Sequence, residues 1–274
     1  MWYLNVLLNT LCDAMLWPFQ GESPWPAMIA VSLVTGLIFI GVFLAFSDQR
    51  ALKRKKGRMF ARALELLLFR HEMLVSVTAF PRIATANGSY LKELLKPVAL
   101  ALVPSVLLLV QLACWYEYRP FSIGDTVLVD VELTSDAEVM SRDITLKTSD
   151  ALVVETEALR IPSLSQHSWR LQARADGNAW VDVTVDDTTV RKEVIVDQGM
   201  QKISVSRVGA SLWEQMLHPC EPPLTDDALI AKISVHYPHR DLELAGYSIP
   251  WIIAFLILTM IFGLIFGRMM KVSF

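Results

Sequence analysis

The chain has 274 residues, 53% of them hydrophobic and 19% charged, with a net charge of −3. That balance excludes an ordinary soluble globular protein, in which about a quarter of residues are charged. The apolarity gathers in three runs, 27–46, 97–116 and 249–267. Each is close to the ~20 residues a helix needs to cross a hydrocarbon core, so the chain reads as an integral membrane protein with three spans.

In chain order, residues 1–26 come first. Trp2, Val6, Leu7, Thr10, Leu11, Ala14, Met15 and Trp17 recur at helical spacing, with Asn5, Asn9, Asp13 and Gln20 on the other side. This predicts an amphipathic helix lying in the headgroup plane. A basic leader is missing and Asp13 interrupts the apolar stretch, so the segment does not read as a secretory signal. Prolines 18, 24 and 26 end the helix and turn the chain into the first span, 27–46.

Eight basic residues follow within 21 positions: Arg50, Lys53, Arg54, Lys55, Lys56, Arg58, Arg62 and Arg70. Residues 47–96 carry eleven Lys/Arg against four Asp/Glu, whereas 117–248 carry twelve against twenty-two. Lys/Arg excess in short flanks marks the cytoplasmic side. The expected topology is therefore residues 1–26 outside, 47–96 inside, 117–248 outside and the tail 268–274, with Arg268 and Lys271, inside. A bacterial inner membrane fits this arrangement. Residues 47–71 read as a helix, with a turn in 72–88 at Pro81 or Asn87-Gly88, and Tyr90, Leu91, Leu94 and Leu95 leading helically into the second span. Two forms are open: a helical hairpin with arms of roughly 35 Å, or one basic helix on anionic lipid with an irregular return. Leu and Phe recur on both arms, which favours the hairpin.

The second span, 97–116, contains Pro104, and Trp115, Tyr116 and Tyr118 with Trp251 form an aromatic belt. Beyond it the pattern changes. Thr126–Leu133, Ile144–Thr148, Ala151–Glu155, Ser168–Arg174, Ala179–Val185, Thr189–Val196 and Lys202–Val205 are short, alternating and Val-rich. Turn clusters at Thr134-Ser135-Asp136, Asp176-Gly177-Asn178 and Asp186-Asp187 separate them. The expected fold of 117–248 is an all-β sandwich of immunoglobulin-like architecture. A short helix at Ala210–Leu217 and a final strand at Ala231–Tyr237 precede the third span, 249–267.

No catalytic signature stands out, so neither enzyme activity nor a cofactor is expected, and no DNA partner. His218, Cys220, His236 and His239 with Asp226 and Asp227 have the right types for zinc, but their spacing matches no compact ligand pattern and scattered surface histidines explain them better. Cys12, Cys114 and Cys220 make no disulfide framework; three separate thiols are expected, with a Cys12–Cys114 bridge as the other arrangement. The spans carry no charge at their centres, which argues against an ion-coupled transporter. Ser32-x-x-x-Gly36 and Thr259-x-x-x-Gly263-x-x-x-Gly267 give small faces for close helix approach. Ser32, Thr35, Ser105, Gln111 and Thr259 line either a partly hydrated groove or ordinary helix contacts.

The order of parts resembles the YidC/Oxa/Alb insertase superfamily, especially its reduced three-span members. The matching parts are an outer amphipathic helix (Leu4-Asn5-Val6-Leu7-Leu8-Asn9-Thr10-Leu11-Cys12-Asp13), a span running out to in, a basic hairpin, a span with a mid-membrane proline, and a third span. The resemblance covers residues 1–116 and 249–274 and rests on topology and spacing. It departs in having no groove arginine in the first span, and in carrying a β-domain between the second and third spans. It implies an insertase or membrane chaperone whose hairpin meets the ribosome or nascent membrane proteins. Arg50, Lys53, Arg54, Lys55, Lys56, Arg58 and Arg62 would be the contact face, and membrane lipid would surround the groove. The other reading is a non-enzymatic envelope scaffold whose β-domain recruits a protein partner.

Overall fold

The computed structural model describes residues 2–19, 23–68, 73–134, 144–186, 188–197, 199–209, 211–225, 229–244 and 246–272. Its helices are α1 (Trp2–Leu16), α2 (Trp25–Phe46), α3 (Gln49–Leu68), α4 (Met73–Tyr116), α5 (Leu212–Leu217) and α6 (Trp251–Met269). Three stretches are long and apolar enough to cross a membrane: Trp25–Phe46, Ile83–Tyr116 and Trp251–Met269. The chain divides into two compact units, one of Met28–Val106 with Ile252–Phe274, the other of Met1–Ala27 with Leu107–Trp251.

In the first, helical unit, α3 begins at a side-chain cap. Asp48 Oδ1 accepts hydrogen bonds from the amides of Arg50 and Ala51, each at 3.0 Å. The Ala51 bond is the main reason that this carboxyl sits below its ordinary pKa. Lys55 Nζ donates to Glu93 Oε1 at 2.7 Å and to the Ser89 carbonyl at 3.3 Å, pairing the start of α3 with the middle of α4. The two helices thus form an antiparallel pair joined through 69–72, which lie outside the described residues, as does Arg70. The turn expected in 72–88 is corrected: α4 runs unbroken through Pro81 and Asn87-Gly88. Asn-Gly is a hairpin signal where alternating strands flank it. Here the flanks repeat helically, and the lost Pro hydrogen bond is tolerated inside 44 helical residues. Elsewhere in this unit α2 and α6 meet closely. A Cβ on Gly36 would lie 3.1 Å from Phe262 Cβ, 3.2 Å from Gly263 N and 3.3 Å from the Thr259 carbonyl. Gly36 therefore lets α2 approach the Thr259–Gly263 turn of α6 closely, as a small residue at a helix contact does.

The second unit is antiparallel β. Its strands are β1 (Thr126–Leu133), β2 (Ile144–Thr148), β3 (Leu152–Val154), β4 (Leu159–Ile161), β5 (Gln166–Ala173), β6 (Gly177–Val185), β7 (Thr188–Val196), β8 (Ser206–Val208), β9 (Ile230–Val235), β10 (Leu242–Leu244) and β11 (Tyr247–Ile249). One sheet has the order β3-β5-β1-β9-β8, with β4 also on β5; a second has β2-β6-β7; β10 and β11 form a ribbon. Alternation decides the core. Val127, Val129, Val131, Trp169 and Leu171 from the larger sheet share one buried cluster with Val181, Val183, Val185, Val194 and Val196 from the smaller. Gly177 opens β6 with φ +136°, a conformation that needs glycine.

Several expectations are corrected here. Lys202–Val205 is not a strand, because its backbone is engaged elsewhere: Ile203 N donates to the Cys114 carbonyl at 2.7 Å and the Val205 carbonyl accepts from Val235 N at 2.8 Å. Strands β4, β8, β10 and β11 were not expected; each has only three residues, too few to show alternation. Trp115 and Tyr116 are buried rather than forming an exposed belt, and Tyr116 stacks on Trp251 at 6.3 Å. The turns at Thr134-Ser135-Asp136 and Asp186-Asp187 lie partly outside the described residues.

Candidate functional site

The five small polar residues of the spans do not behave as one set. Ser32 is fully buried one turn before Gly36, on the side of α2 that meets α6. Its hydroxyl and that of Thr259 have no hydrogen-bond partner among the described residues. A hydroxyl left unpaired in an apolar interior costs on the order of 1–3 kcal/mol. Two such groups at one helix contact therefore form a polar spot able to accept a partner. Thr35 is half-buried on the same helix. Ser105 is already satisfied: its Oγ donates to the Ala101 carbonyl at 2.7 Å, within its own helix. Gln111 falls in the other unit, buried, with Oε1 unpaired among the described residues.

The basic residues of α3 also divide. Arg50, Lys53, Arg54 and Arg58 are exposed, and 50, 54 and 58 stand four apart along one face. Leu52 is buried, and Lys55 and Lys56 are half-buried. Lys55 donates to Glu93 at 2.7 Å, so its role is to join the arms. The side chain of Arg62 lies outside the described residues.

In the β unit, α1 presents its polar side inward. Asn5, Asn9, Cys12 and Leu16 are buried along one face, whereas Leu7, Leu11 and Trp17 are exposed. Asn5 Nδ2 donates to the Gln215 carbonyl and Asn9 Nδ2 to the Pro219 carbonyl, each at 2.8 Å. Lys202 Nζ reaches both carboxylate oxygens of Asp13 at 3.1 Å. The asparagines that mark the hydrophilic side in sequence are thus protein contacts rather than water-facing residues. Leu212 and Trp213 of α5 are exposed as well. Among the described residues, the side chains of zinc-binding type do not come together. His236 pairs with Asp130 at 2.6 Å, His239 stacks on Tyr118 at 4.9 Å, and Asp226 and Asp227 lie outside the described residues. Among the described residues no group of three or more His, Cys, Asp or Glu could hold a metal.

Two buried groups escaped the sequence reading. Lys192 on β7 is fully enclosed and paired with Glu221. Its inward position follows the alternation of Val190, Val194 and Val196, but the run Arg191-Lys192-Glu193 hides it. His167 on β5 is buried with both ring nitrogens unpartnered among the described residues, beside Trp169. Burial, then the charge of Arg160, holds its pKa below the ordinary 6.5. The unfolded chain therefore binds this proton more readily. Its contribution is fully present above the ordinary imidazole value and is lost as pH falls from there towards the folded value. Melting measured from pH 7.5 to about 5 should fall less steeply in His167→Phe than in the unaltered protein; equal slopes would refute this.

No family model, curated protein or solved structure matches the chain.

Proposed function

We propose that the chain is a divergent insertase or membrane chaperone of YidC/Oxa type, with α3 and the first part of α4 in the cytoplasm and the β unit outside a bacterial inner membrane. The observation that carries this is the basic arm α3, joined to α4 by Lys55–Glu93, with α4 passing unbroken into a membrane-length stretch. A tether has no need of such a stalk. An insertase does, because a rigid projecting basic surface attracts ribosomal RNA and nascent chains electrostatically. The unpaired hydroxyls of Ser32 and Thr259 supply polarity at membrane depth, and a passing polar flank would reach them once α2 and α6 part. The exposed apolar side of α1 suits the outer headgroup layer.

The finer reading of the β unit as immunoglobulin-like is supported by its strand order. In the constant-type fold the sheets are A-B-E-D and C-F-G. Here β1, β2, β3, β5, β6 and β7 take the places of B, C, D, E, F and G, and β9 lies beside β1 where A would lie, with β8 added beyond it.

The scaffold reading has one observation in its favour, the tight α2–α6 contact at Gly36, which leaves no opening between those two helices. Photo-crosslinkers at positions 35 and 105, with a lipid-facing control at exposed Leu102, separate the two. Insertion expects adducts with stalled nascent membrane proteins at 35 and 105 that exceed those at 102 about tenfold, the effect of held proximity against chance encounter. Equal labelling, or none, would favour the scaffold.

A further inference from the structure

We propose that Cys114 and Cys220 form a disulfide that fastens the end of α4 to the loop following α5. The two residues stand 106 positions apart in sequence. They nevertheless line one cavity of about 290 Å³, together with Ile203, Leu217 and His218. The two thiols are close enough to act on one another. In this structure both are free thiols, and Cys114 donates to the Val110 carbonyl at 3.5 Å.

The backbone is fixed on each side of the pair, which keeps the two thiols at the same cavity. The Cys114 carbonyl accepts from Ile203 N at 2.7 Å. The loop bearing Cys220 is pinned at both flanks: the Pro219 carbonyl takes the Asn9 amide at 2.8 Å, and Leu224 N donates to the Val208 carbonyl at 2.8 Å. A disulfide needs the two Cα atoms within about 7 Å, so with both flanks fixed the pair meets that requirement in place or not at all. The third cysteine does not compete. Cys12 is buried, and burial followed by the neighbouring Asp13 charge pushes its thiol up to about 11, so it stays protonated and unreactive.

The oxidant is a disulfide-bearing thiol oxidoreductase or an equivalent small disulfide outside the cell interior. One thiolate of the pair attacks the donor disulfide and displaces one donor thiolate, giving a mixed disulfide. The second thiolate then displaces the other donor sulfur. Two protons and two electrons leave the pair, and the donor departs as a dithiol. The inference rests on the orientation proposed above, since only an extracytoplasmic β unit meets such an oxidant routinely.

The test uses the full chain, extracted from membranes without reductant after alkylation of free thiols, and mapped as non-reduced peptides. The expected result is a linked pair of peptides carrying residues 114 and 220, with Cys12 alkylated. Alkylation of 114 and 220 should rise about tenfold once a reductant is added first. Cys12→Ser should leave the linkage intact, while Cys114→Ser should free Cys220 to alkylate. A parallel sample is reduced, purified and treated with oxidised glutathione. If the linkage is absent from both samples, the proposal falls on geometry. If it forms only with added oxidant, the sulfurs are correctly paired but both face a reducing compartment, and the proposal falls together with the orientation.

Discussion

Lys192→Met should destabilise the β unit by about 3–5 kcal/mol, the range seen when one partner of a buried ion pair is removed. Lys192 Nζ is completely enclosed; it donates to Glu221 Oε1 at 2.5 Å, to the Ser204 carbonyl at 2.6 Å and to the Glu193 carbonyl at 3.4 Å. Desolvation lowers its pKa, and Glu221 acts in the opposite direction through its charge and its hydrogen bond. Methionine matches the aliphatic stem but leaves the Glu221 carboxylate, itself only 9% exposed, without its cation. Thermal unfolding of the detergent-solubilised protein, read by hydrogen exchange in β7 and β9, should shift down by about 10 °C or more. Adding Glu221→Leu should recover most of the loss, because an apolar pair of similar volume is often as stable as the ion pair it replaces. A single-variant effect below about 1 kcal/mol would mean that the pair is solvated in solution.

The second large effect is on partner binding. Changing Arg50, Lys53, Arg54 and Arg58 together to Glu should lower ribosome co-sedimentation more than about tenfold at ~0.15 M salt. It should also reduce the slope of log affinity against log salt by about 3, since each lost phosphate contact contributes roughly 0.7–0.9. These four are chosen because they are exposed. Lys55 is left alone because reversing it would set like charges against Glu93 and part the arms, which would lower binding for a different reason. Binding that is absent at the outset, or unchanged by the four substitutions, would turn the reading towards an envelope scaffold.

Much of this architecture was legible because period and length are strong signals. The three long apolar helices lie where their runs lie, and β1 and β2 begin and end at the expected residues. What was hidden depended on contacts distant in sequence. Pro81 and Asn87-Gly88 look like breakers locally, yet the arm they sit in remains helical while Glu93 holds α3. Residues 202–205 alternate like a strand, but the Cys114 carbonyl claims the amide that a neighbouring strand would use. Of the groove residues, Ser32 and Thr259 could be marked as polar within apolar runs. That Ser105 spends its proton on its own helix is invisible until Ala101 is placed against it. The pairing of Cys114 with Cys220 was out of reach for the same reason, since only the folded β unit brings the 219–223 loop to the end of α4.

The continuity of α4 has a mechanical meaning. Within the helical unit the helix runs from Met73 to Val106, and those 34 residues measure about 51 Å at 1.5 Å per residue. In the orientation proposed above, torque applied near Met73 would reach bilayer depth as tilt instead of being absorbed by a swivel, since no linker separates the two halves. The yield points are Pro97 and Pro104, where backbone hydrogen bonds are missing and the shaft bends most easily. Whatever grips the stalk would thereby have leverage on the lipid around it.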